Sequence, residues 1–196
     1  MASNPAGRDR VNQAGIDYYN NLIDALKAVN IEPMVTLYHW DLPHALQMQG
    51  GWLNPQVLDW FDEFARLCFS QFGDRVKFWI TINEPWVVAV LNYGHGQGAP
   101  ALEGPGTNTY LVGHHLILAH ARVYRLYHSQ FHSTQQGQVG ITLNIGWNLP
   151  KSDSVVDQEA AERGLQFIGG WFAEPIFGSG DYPEIMKIKV RILSFI

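Results

Sequence analysis

The ten residues Val76-Lys-Phe-Trp-Ile-Thr-Ile-Asn-Glu-Pro85 constrain the fold more than any other stretch. Val76, Phe78, Trp79, Ile80 and Ile82 form a near-continuous apolar run, the pattern of a strand covered on both faces. Asn83 and Glu84 follow at once. Pro85 cannot donate to a ladder, so regular pairing stops there. An amide and a carboxylate therefore stand together at the C-terminal end of a buried strand. In α/β barrels and open α/β sheets, ligands bind at that end. A carboxyl in partly apolar surroundings has its charged form disfavoured and is suited to general acid work. Trp40, Trp79 and Trp86 are the expected source of those surroundings and of flat faces for sugar rings. For a strand-end glutamate taken alone, a capping or salt-bridged role is the default. The pattern around it decides otherwise.

The flanking sequence alternates helices and strands. Ile16, Tyr19, Ile23 and Leu26 recur at helical spacing between Gly15 and Val29, and Asn30 is a helix stop. Met34 to Tyr38 is a short strand that ends in His39-Trp40-Asp41-Leu42-Pro43, again a polar and aromatic cluster at a strand's end. Gly50-Gly51-Trp52 is a turn. Asn54-Pro55 starts a helix, with Asn as cap and Pro at the first position. Its stripe is Val57, Phe61, Phe64 and Cys68, and Gly73 is the expected C-cap. Cys68 on that stripe is expected to be a buried structural thiol. After the central strand, residues 92–108 form a long Gly/Pro-rich loop. A helix from about Thr109 to Tyr127, a strand from Val139 to Asn144, and a helix from Val155 to Phe172 complete the pattern. A loop from Gly178 to Pro183 and a short Ile185–Val190 stretch close it. Strands alternating with helices of this length predict a parallel sheet with helical cover, an α/β fold.

Composition narrows the function. The chain has 196 residues, 46% hydrophobic and 16% charged, which suits one core-forming domain rather than disorder. The net charge of −5 and the lack of a basic block argue against nucleic acid as a partner. The single cysteine excludes an internal disulfide. Met1 to Arg10 is polar and lacks the apolar core of a secretory leader. No apolar run reaches the length of a membrane span. The chain as given reads as soluble, and its compartment stays open between cytoplasmic and, with a longer N-terminus, secreted.

Several motifs in a fixed order resemble glycoside hydrolase family 1, the retaining β-glycosidases of the β-glucosidase and lactase-phlorizin hydrolase kind. They are Thr36-Leu-Tyr-His-Trp-Asp-Leu-Pro43, Gly50-Gly-Trp-Leu-Asn-Pro55, Phe72-Gly-Asp-Arg-Val-Lys77, Thr81-Ile-Asn-Glu-Pro-Trp86 and the Gly178-to-Pro183 segment. The resemblance runs from about Val11 to Lys189. It implies a partial (β/α)8 barrel, about strands three to five with their helices. It divides the chain into a polar tail at 1–12, a partial barrel domain at 13–187 and a divergent tail at 188–196. It implies hydrolysis of terminal β-D-glucosides or galactosides, with a small-molecule β-glycoside as partner. It assigns Glu84 as the general acid/base and Asn83 as the amide that bonds the sugar's 2-hydroxyl. His39 and Trp40 match residues of the glycone pocket, Trp86 an aromatic wall of the aglycone site, and Asn144 a polar residue near the pocket. No cofactor or metal is implied, because carboxyl groups carry the chemistry. Oligomeric state is left unspecified.

Two departures from the family pattern matter. Retaining hydrolysis needs two carboxyl groups about 5–5.5 Å apart. The family's nucleophile sits in a Thr-Glu-Asn-Gly motif that these 196 residues lack. A barrel of this kind also needs eight strands and about 250 residues, whereas three strands are legible here. The chain is therefore expected to be a partial product. A non-catalytic sugar- or protein-binding module, and a product without independent function, remain as alternative readings. Glu174 in Ala173-Glu-Pro175 imitates the Asn-Glu-Pro motif but follows a helix, so it belongs at the opposite face of a barrel. Glu103 reads as a loop charge, and Glu159, Glu162 and Glu184 as helix-surface groups. His114, His115 and His120 share a helix, but five- and six-residue separations miss the i, i+4 spacing of helical metal pairs. Packing and hydrogen bonding are expected to explain them.

Overall fold

A computed structural model describes residues 11–193 and their side chains as far as position 190. Most of the polar N-terminal tail and the last three residues of the divergent C-terminal tail lie outside the described residues. The described chain opens with helix α1 (Gln13–Ala28), capped by Asn12, whose side chain accepts the Gly15 N–H at 3.3 Å. Ile16 and Ile23 bury against the core, while Tyr19 on the same expected face is exposed. Asn30 ends the segment with φ at 60°, a conformation that asparagine tolerates better than most residues.

Strand β1 (Met34–Tyr38) is followed by a short helix α2 (His44–Gln47), a 3-10 turn (Gly51–Leu53) and helix α3 (Val57–Phe72). Asn54 opens the turn into α3: its side-chain oxygen accepts the Gln56 N–H at 2.9 Å and its carbonyl accepts the Val57 N–H at 2.9 Å. Val57, Phe61 and Cys68 are buried on the expected stripe, joined by Trp60, Ala65, Phe69 and Phe72. Gly73 is the C-cap of α3, as expected, in right-handed rather than left-handed geometry, and its N–H donates to the Phe69 carbonyl. A Cβ there would lie 2.3 Å from the Gln135 amide carbon, so a larger residue would push that side chain off its bond to the Phe69 carbonyl.

Strand β2 (Phe78–Asn83) leads into a π-helical turn (Val87–Asn92) and the loop that closes with the His95–Glu103 bridge. Helix α4 (Asn108–Gln130), a short helix α5 (His132–Gln135) and strand β3 (Gln138–Thr142) follow. The predicted final helix is longer than expected. It comprises α6 (Val155–Leu165), a π-helical turn (Gln166–Gly170) and α7 (Trp171–Phe177). Ser154 caps it by accepting the Asp157 N–H. Helix α8 (Glu184–Leu193) extends the Ile185–Val190 stretch in both directions and runs unbroken past residue 187. No helix among the described residues is long and apolar enough to cross a membrane.

The three strands form one parallel sheet in the order β1-β2-β3. Pairing sets Val35 beside Trp79 and Trp79 beside Val139, so these residues share a face. That face meets the helices. The Trp79 ring lies edge-on to Phe69 of α3 at 5.0 Å, and Thr81 bonds to His120 of α4. The other face carries Met34 beside Phe78, which are 63% and 39% exposed. The expectation of a strand covered on both faces therefore holds for Ile82 but not for Phe78. Helical cover is present on one side, and the N-terminal half of the opposite face meets solvent.

Candidate active site

The sheet collects the predicted residues at the C-terminal ends of its strands. His39 and Trp40 follow β1 directly, Asn83 ends β2, Glu84 is next, and Asn144 lies two residues past β3. Three cross-connections lace these ends together. The Trp40 indole N–H donates to the Asn83 carbonyl at 3.0 Å. The Glu84 N–H donates to the Thr142 carbonyl at 2.9 Å. The Trp86 indole N–H reaches over to the Phe167 carbonyl, at 3.2 Å, in the turn between α6 and α7. The Glu84 carbonyl then accepts the Val87 N–H at 3.0 Å, which starts the π-helical turn immediately beyond.

Backbone geometry marks the same spots. Trp40 has φ at 75° and Glu84 at 49°, in the left-handed region that bulky residues seldom occupy. Such strain concentrates where surrounding structure over-determines a functional geometry. Pairing between β2 and β3 also slips. Ile80 faces Gly140 but Asn83 faces Thr142, so three steps on one strand match two on the other. This bulge bends the strand just before Asn83 and Glu84.

The polar side chains here are not consumed by structure. Among the described residues, the half-buried Glu84 carboxylate has no ion pair and takes no hydrogen bond, so it is neither a salt-bridged nor a capping carboxylate. The Asn83 amide is likewise unspent, and the Asn144 side-chain oxygen is buried with no partner. His39 lies edge-on to Trp40 with ring centroids 5.3 Å apart. Because the Trp40 and Trp86 indole N–H groups are already bonded, each ring offers a ligand only its apolar surface.

Trp79 is not part of this cluster. It is buried in the core against Phe69, because strand alternation directs it to the helical face. The Glu174 carboxylate also lies elsewhere. Glu174 sits inside α7, where its side chain accepts the Ser179 N–H at 3.0 Å. The histidines of α4 have separate partners. His114 meets the Tyr182 hydroxyl at 2.6 Å, His115 the Trp52 carbonyl at 2.7 Å and His120 the Thr81 hydroxyl at 2.8 Å. Burial pushes the Cys68 thiol up to about 12, as expected of a structural cysteine. Sequence reasoning missed Thr142, Phe167 and Thr81, whereas His120 was expected to serve packing and hydrogen bonding, as its bond to Thr81 shows. Thr81 left a trace as the polar residue inside an apolar strand. Thr142 and Phe167 left none, since they act through backbone carbonyls.

The model of glycosyl hydrolase family 1 matches residues 4–195. The chain belongs to that family. Human lactase/phlorizin hydrolase is 53% identical over 188 residues, 95% of this chain and 10% of that protein. Rice β-glucosidase 6 is 48% identical over 198 residues, 95% of this chain and 38% of that one. Among solved structures, aphid myrosinase superposes with a TM-score of 0.92 at 45% identity, covering 95% of this chain and 40% of that one. A Glu-to-Gln variant of a rice β-glucosidase, in a covalent complex with Glc, gives 0.92 at 47% identity over the same 95%, and 41% of that chain. The chain thus spans about two-fifths or less of these family 1 relatives. Its sheet and helices are three consecutive strand–helix units of the (β/α)8 barrel.

Proposed function

We propose that residues 13–187 carry the acid/base half of a retaining β-glycosidase site for a terminal β-linked glucose or galactose. The observation behind this reading is the placement of Glu84. The Asn83–Glu84 peptide is held from both sides, its carbonyl by the Trp40 indole and its N–H by the Thr142 carbonyl, while the Glu84 carboxyl group stays unpaired at the ligand-binding end of the sheet. As a general acid, Glu84 gives its proton to the glycosidic oxygen as the bond to the anomeric carbon breaks. As a general base, it then takes a proton from the water that releases the sugar. Asn83 holds the 2-hydroxyl. His39 and the Trp40 ring border the glycone, Trp86 walls the aglycone side, and Asn144 offers its unpartnered oxygen to a hydroxyl. The attacking carboxylate comes from a part of the barrel that the matched two-fifths does not include.

The test is a chimera in which residues 11–190 replace the matching segment of rice β-glucosidase 6. The expected result is hydrolysis of aryl and alkyl β-glucosides. Glu84→Gln should slow poor leaving groups by about 100-fold or more, the usual range of general acid catalysis, and activated aryl glycosides far less. Equal slowing of both substrate types would sink the role assigned to Glu84.

A further inference from the structure

The bulge in β2 decides where Asn83 and Glu84 stand. Pairing with β3 is regular up to Ile80 and Gly140, and resumes at Asn83 and Thr142. Thr81 and Ile82 therefore both oppose Ile141. Without the extra residue, Ile82 would face Thr142, and everything after it would rotate to the other side of the sheet. Something must hold the extra residue in.

The Thr81 hydroxyl is at that point. Thr81 is fully buried, and its oxygen lies 2.8 Å from Nδ1 of His120 and 3.2 Å from the Gly140 carbonyl oxygen. A hydroxyl has one proton and the carbonyl can only accept. With that proton directed to Gly140, Nδ1 of His120 must carry the hydrogen and donate to the Thr81 oxygen. We infer that His120, through Thr81, is a positioning residue: a hydrogen-bond chain from the ring to the hydroxyl to Gly140 clamps the β2 bulge between α4 and β3, and so aims Asn83 and Glu84 at the site. The inference rests on the role proposed for Glu84, although His120 and Thr81 touch no reacting atom. His120 is 5% exposed, and burial pulls its ring down to about 4, so at neutral pH the ring is neutral and has a single N–H to place. The two contacts that fix the strand end, from the Trp40 indole to Asn83 and from Glu84 to Thr142, lie directly downstream of the clamp.

The experiment is nuclear magnetic resonance on the 15N-labelled chain at neutral pH. Long-range proton–nitrogen spectra should show the His120 ring protonated at Nδ1. Protonation at Nε2 alone would overturn the chain of donors. Thr81→Val keeps the shape and removes the hydroxyl. It should shift the Trp40 indole and Glu84 amide signals and speed their hydrogen exchange by about tenfold. Thr81→Ser should restore both to the parent values. Unchanged signals in a folded Thr81→Val chain, or displaced signals in Thr81→Ser, would overturn the inference. If Thr81→Val fails to fold, the tautomer in the unsubstituted chain and the Thr81→Ser signals decide. These readouts need no turnover, so their outcome is separate from the leaving-group test of Glu84.

Discussion

Trp40 and Glu84 each hold a backbone conformation that costs on the order of 1–3 kcal/mol for a residue with a Cβ. Both are held in place by a hydrogen bond to a neighbouring strand. His120 contributes in a different way, through a charge it refuses. Above pH 6.5 the ring is neutral in the folded and the unfolded chain. Below that value the unfolded chain takes up a proton, while burial keeps the folded ring neutral until about pH 4. Stability therefore falls as the pH falls through this window, by about 3 kcal/mol in total from this residue. Urea unfolding at pH 7 and pH 4 should show that extra loss in the parent and not in His120→Asn. Parallel losses would mean that the ring is not shut away from protons. Short polar motifs at strand ends were legible because each sits where an apolar run stops. That is how His39, Trp40, Asn83 and Glu84 could be placed together at the strand ends. A run apolar on both faces does not say which face meets helices, so the inward course of Trp79 was hidden, as was the partner that uses up the Trp86 indole N–H.

At the scale of elements, α4 and α7 meet through a glycine. Trp171 lies stacked on Phe172 at 4.9 Å and tilted against Tyr110 at 5.3 Å, so two other rings flank it. A methyl group added at Gly113 would sit 2.5 Å from Cζ2 of Trp171. Gly113→Ala gains about 1 kcal/mol of helix propensity, while overpacking costs typically about 1–3 kcal/mol. The clash is expected to outweigh the gain here, because moving the Trp171 ring disturbs its packing on Tyr110 and Phe172. The expected outcome is a melting temperature lower by about 2–4 °C per kcal/mol of net loss. An unchanged or raised value would show that α7 gives way. The order of the elements was legible from periodicity, since alternation of 3.6- and two-residue patterns needs no knowledge of contacts. Irregularities were not. The π-helical turn between α6 and α7 keeps the helical pattern intact in sequence, so the helix was read as stopping at Phe172 when it continues to Phe177. Gly73 could be placed as the cap of α3, but not its right-handed geometry or the Gln135 amide packed against it.

At the scale of the whole molecule, the described residues form a sheet covered by helices on one face and open over the N-terminal half of the other. Among the described residues, β1 and β3 each have one edge without a partner strand, and Met34 and Phe78 bring apolar surface to the open side. Ile145, Trp147, Leu149, Val155 and Val156 add more beside β3. The isolated chain should therefore associate as its concentration rises. Sedimentation of the parent and of a Met34→Thr/Phe78→Thr double variant should show weaker association in the variant, and identical behaviour would place the sticky surface elsewhere. The lacing of the strand ends also has a timetable. Trp40 bonds to a residue 43 positions later, Thr81 to one 59 positions later and Trp86 to one 81 positions later. A ribosome adds about 5–20 residues per second. Several seconds of synthesis thus separate the emergence of Trp86 from that of Phe167, the residue that holds its indole, so the strand end carrying Glu84 spends the first part of its life unassembled.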